Sequence, residues 1–119
     1  MKAEALKKAA VAALEDIKAK DIAVLNVKKL TSVTDYMIVA SGDSARQVKA
    51  LADNVVEKVK EGGGEVIGIE GGAVGEWVLV DLGDVIVHVM HPAVREHYNL
   101  EELWTAPKLP RKKVAAEEP

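Results

Sequence analysis

Cysteine is absent from the 119 residues, which excludes disulfides, thiolate nucleophiles and cysteine metal sites. Its absence fits a reducing compartment. Phenylalanine is absent too, and aromatics make up only 3% of a chain that is 49% hydrophobic. Aliphatic side chains must therefore build the core, and each of the two tryptophans and two tyrosines invites its own explanation. No stretch approaches the ~20 apolar residues of a membrane helix. Nor is there a basic excess: 16 Lys and Arg against 19 Asp and Glu give a formal charge of -3, a poor footprint for unspecific nucleic-acid binding. The apolar stretch Val11, Ala12, Ala13 and Leu14 is too short for a signal peptide, and Glu4, Glu15 and Asp16 argue against an organellar transit peptide. The expectation is a soluble cytoplasmic protein whose length suits one domain.

What is present patterns clearly. Leu6, Ala10, Leu14 and Ile17 recur at helical spacing and predict a helix over 3–20. A β-branched run predicts a strand over 22–27, and the apolar block 36–40 a second, buried one. Ser44 and Gln47 have capping-box spacing ahead of the stripe Val48, Leu51, Val55 and Val59, and the Gly62, Gly63, Gly64 triplet stops that helix. Strands are expected at 65–70, 77–80 and 85–90, then helical pieces at 93–98 and 100–104. Residues 1–106 form the domain, and the proline- and charge-rich residues 107–119 read as a mobile tail. The order α-β-β-α-β-β-β-α makes a single α/β domain, a mixed sheet with flanking helices. If the strands either side of the 44–61 helix pair in parallel, their crossover is right-handed.

The hairpin around Asp81 to Asp84 admits two registers. A Leu82-Gly83 turn pairs Leu79 with Ile86 and Trp77 with His88, leaving a valine face and a bulkier face of Trp77, Leu79, Ile86, His88 and Met90. A three-residue loop ending at Gly83 shifts the partners by one and groups Trp77 and Leu79 with Val85 and Val87. Either way both faces are apolar and need cover, from helices on both sides or from a partner. Asp81 and Asp84 could bind Mg²⁺ or act as acid and base, but aspartate is also an ordinary turn residue, and the turn is the stronger reading. His88 and His91 point to opposite faces of a strand, which speaks against a zinc site. The Gly42-Asp43-Ser44 helix start lacks the lysine and spaced glycines of a phosphate loop.

Three segments together carry a family resemblance: residues 33–42 (VTDYMIVASG), 75–88 (GEWVLVDLGDVIVH) and 92–104 (PAVREHYNLEELW). The chain over 3–104 resembles the ribosomal silencing factor, or Iojap-like, family. The resemblance implies a nucleotidyltransferase-like fold without established transferase activity, and homodimers. It also implies binding to a large-subunit protein, ribosomal protein number fourteen, which blocks subunit joining when nutrients are scarce. Trp77, Leu79, Asp81, Asp84, His88, Arg95, Tyr98, Leu100 and Trp104 are the positions it marks as the partner-binding surface. No cofactor is expected. The rival reading is a metal-dependent nucleotidyltransferase using Asp81 and Asp84. It is weakened because the strand following the Ser41-Gly42 helix start carries no alternating carboxylate pair for two metal ions.

Overall fold

The computed structural model describes residues 1–71 and 76–98, without the side chains of His97 and Tyr98. The expected helical piece at 100–104 and the tail lie outside this range. Helix α1 (Ala3–Asp16) buries Leu6, Ala10, Ala13 and Leu14. It ends four residues before the spacing predicts. Lys18 takes a left-handed conformation (φ 64°), letting the Ala19 amide donate to the Leu14 carbonyl and the Lys18 amide to that of Glu15. This closure is normally built on glycine. Strand β1 (Lys20–Asn26) therefore begins earlier than expected and carries a bulge between Lys20 and Ala23.

Strand β2 (Tyr36–Ser41) is buried along its whole length. Helix α2 (Ala45–Glu61) starts at Ser44, whose side chain accepts from the Gln47 amide at 3.1 Å. The Gln47 side chain reaches one residue past the usual box partner, accepting from the Asp43 amide at 2.6 Å, and donates to the carbonyls of Ile17 and Lys18. One residue thus ties the end of α1 to the start of α2. Ser44→Ala should cost about 1 kcal/mol, read as an unchanged denaturant slope with a lowered midpoint. At the other end Gly63 takes φ 89° and the Gly64 amide returns to the Val59 carbonyl, stopping the helix as expected.

Strands β3 (Gly68–Gly71), β4 (Trp77–Asp81) and β5 (Val85–Met90) complete a five-stranded mixed sheet of order β1-β2-β5-β4-β3, and α3 (Pro92–Tyr98) follows. Strand β3 is shorter than the expected 65–70. The strands either side of α2 do not pair: β2 lies parallel to β5, and β5 and β4 separate it from β3. Val78, Val80, Leu82, Val85, Val87 and Val89 face α1 and α2 in the main core. A smaller cluster of Val27, Met37, Val39 and Met90, with Leu25, Trp77 and Val94 against it, occupies the other face. The helices of the main core therefore cover one side of the sheet, and among the described residues α3 and the segment after β1 pack against part of the other.

Candidate functional site

The β4–β5 hairpin has a register that neither sequence alternative contains. Trp77 lies opposite Met90, Leu79 opposite His88, and Asp81 opposite Ile86. The turn is Gly83-Asp84, closed by the Leu82 amide donating to the Val85 carbonyl. Gly83, with φ 86°, fills the first turn position, where a primed turn wants glycine. Asp81 Oδ1 accepts from the Gly83 amide at 2.9 Å and holds the corner. Because this register differs from the Leu82-Gly83 reading by two residues, the two faces come out as that reading has them while every cross-strand partner changes.

On the face away from α1 and α2, Trp77, Leu79 and Ile86 are half-buried and form an apolar strip. Half-buried Asp81 and exposed Asp84 stand at its turn end, and exposed Glu70, cross-strand from Leu79, at its flank. His88 lies between Leu79 and Val39 on this same face and is only 6% exposed. The Trp77 indole Nε1 donates to His88 Nδ1 at 3.0 Å, with ring centroids 5.8 Å apart. Burial without a compensating charge pushes the His88 pKa down to about 4, so the ring is neutral near pH 7. Arg95 extends from α3 to donate to the buried Ser41 hydroxyl at 2.9 Å, pinning α3 at the end of β2.

Of the nine residues marked by the family resemblance, five converge here: Trp77, Leu79, Asp81 and His88 on the sheet face, and Asp84 at its corner. Arg95 sits at the opposite end, near Ser41. The side chain of Tyr98 and the whole of Leu100 and Trp104 lie outside the described residues. Ile86 and Glu70 belong to the same surface and are missing from that set. The Leu82-Gly83 reading already put Ile86 on this face without marking it for the partner, and the β3–β4 pairing would find Glu70.

The nucleotidyltransferase arrangement does not assemble. Ser41 pairs with Met90 and Tyr36 with Val85, so the Ser41-Gly42 helix start and the Asp84 corner stand at opposite ends of β5. Five residue steps separate them by roughly 16 Å. Among the described residues no group of three His, Asp or Glu side chains could hold a metal ion, and no helix is long and apolar enough to cross a membrane.

Comparison with known proteins places this geometry in context. The family described as "Ribosomal silencing factor during starvation" matches residues 1–119. A Chromobacterium violaceum protein, ribosomal silencing factor RsfS, is 57% identical over 108 residues, spanning 91% of this chain and 88% of that protein. A crystal structure of a Chromobacterium violaceum protein superposes with a TM-score of 0.86 at 55% identity, covering 100% of this chain and 98% of that one. A mouse protein named "Mitochondrial assembly of ribosomal large subunit protein 1" is 36% identical over 98 residues, spanning 80% of this chain and 43% of its own length.

Proposed function

The chain belongs to the ribosomal silencing factor family, whose members regulate translation at the ribosome, and we propose that it docks the sheet face carrying Trp77 on the large ribosomal subunit and thereby blocks subunit joining. The supporting observation is the half-buried strip of Trp77, Leu79 and Ile86 bounded by Asp81, Asp84 and Glu70. An apolar centre within a charged rim is the layout of a hot-spot interface. Carboxylates at the rim select a basic protein surface over RNA phosphates. Ribosomal protein number fourteen is the partner this reading names, with Arg95, Tyr98, Leu100 and Trp104 extending the surface on the α3 side. The protein works in the cytoplasm by occupancy: one bound molecule fills a surface that a whole subunit needs, with no chemical step. A homodimer formed through the same face would compete with this docking by mass action.

Pull-down with large and small subunits probed separately tests the reading. Capture of large subunits alone is expected; equal capture of both, or of neither, overturns it. Replacing both turn carboxylates (Asp81→Asn with Asp84→Asn) should slow association by about three- to tenfold at low salt and flatten its salt dependence, since rim charges act on encounter. Stopped-flow association across a salt series provides the measurement.

A further inference from the structure

We propose that His88 is a positioning residue: its Nδ1 fixes the Trp77 indole so that the ring, not its N–H, is what the docking face offers, and the partner answers with an apolar side chain. The inference rests on the docking reading above. At 6% exposure His88 has almost no surface of its own to give a partner. It is hemmed by Leu79 across the β4 pairing and Val39 across the β2 pairing. Its Nδ1 receives the indole N–H at 3.0 Å, which places the ring proton on Nε2.

The tryptophan has one N–H, and this bond directs it inward. A half-buried indole with no internal acceptor would turn its N–H toward water or toward an acceptor on the partner. Here that donor is already matched across the hairpin, and the two rings tilt at 52° with centroids 5.8 Å apart. The indole is therefore held in one orientation before any partner arrives. Ordering made in advance need not be made on binding, which strengthens association without a new contact. Neutrality of the buried imidazole keeps the Nδ1 lone pair available near pH 7.

Binding of large subunits and the Trp77 indole N–H resonance, followed together, test this. The resonance is assigned by its loss in Trp77→Phe. His88→Leu keeps a side chain of similar bulk and removes the acceptor. It should speed indole N–H exchange and weaken large-subunit binding by at least about tenfold. His88→Asn keeps an acceptor near the Nδ1 position and should hold affinity within about threefold of wild type. Wild-type affinity for His88→Leu, in a series where Trp77→Ala is weakened, overturns the positioning role and leaves the docking face standing. Wild-type affinity for Trp77→Ala overturns both. Should His88→Leu fail to fold, the wild-type protein decides: its Trp77 indole N–H is expected to exchange at least about tenfold more slowly than free tryptophan, as an internally bonded donor does. Unprotected exchange overturns the proposal.

Discussion

Trp77→Ala is expected to weaken binding to large ribosomal subunits by about 3 kcal/mol, roughly 150-fold, the range of a central aromatic anchor. Two features of its setting make it the largest single loss on the surface. Trp77 is the biggest side chain in the apolar strip, and it closes over Met90, its cross-strand neighbour in the smaller core cluster. Truncation removes the anchor and also strips His88 of its hydrogen-bond donor. The second effect lowers stability by about 1 to 3 kcal/mol, the cost of an unmatched buried polar atom. Sedimentation should therefore be run well below the variant's melting midpoint, so that the affinity loss is read from folded protein. Co-sedimentation within threefold of wild type would remove Trp77 from the interface. Tyr98→Ala is expected to act in the same direction.

Acid should destabilise the fold through His88. Its folded-state pKa of about 4 lies below the ordinary 6.5, so between these values the unfolded chain binds a proton that the folded chain does not. By linkage, stability rises with pH across that window, and it is lost as pH falls from about 6.5 to about 4. The full drop is on the order of 3 kcal/mol, because each tenfold change in proton affinity is worth about 1.4 kcal/mol. Below that window His88 contributes no further slope. Glu4 adds in the same direction, because hydrogen bonds from Lys7 and the Tyr36 hydroxyl hold its carboxyl below its ordinary value. Urea melts at intervals between pH 4 and 7 should show the loss, and His88→Asn should remove most of it. An unchanged pH profile in that variant would sink the attribution.

Local chemistry made much of this molecule readable from the chain alone. Helical spacing picked out Leu6, Ala10 and Leu14, and Val48, Leu51, Val55 and Val59, all of them buried. Ser44 capped its helix and the glycine triplet ended it because both signals act within a few residues. Where legibility failed, the deciding interaction was either unusual for its residue type or distant in sequence. Lys18 ends α1 in a conformation for which lysine gives no warning. The hairpin turned on whether Gly83 stands first or last in the corner, a choice settled by the Asp81 carboxylate gripping the Gly83 amide. The parallel pairing of β2 with β5 joins segments almost fifty residues apart, and no local pattern announces it. The site shared these limits. Trp77, Leu79 and Asp81 followed from alternation and family likeness, whereas Glu70 needed the β3–β4 register. That His88 is buried needed the packing around it.

The one-sided placement of α1 and α2 has a practical yield. Lys49 and Asp53 face solvent on the outer side of α2, with the sheet between them and the Trp77 face. Since the chain has no cysteine, Asp53→Cys would introduce a single thiol, and a dye attached there would sit across the sheet from the docking side. Such a label could report rotational slowing on capture by a ribosomal particle while leaving the contact surface chemically untouched.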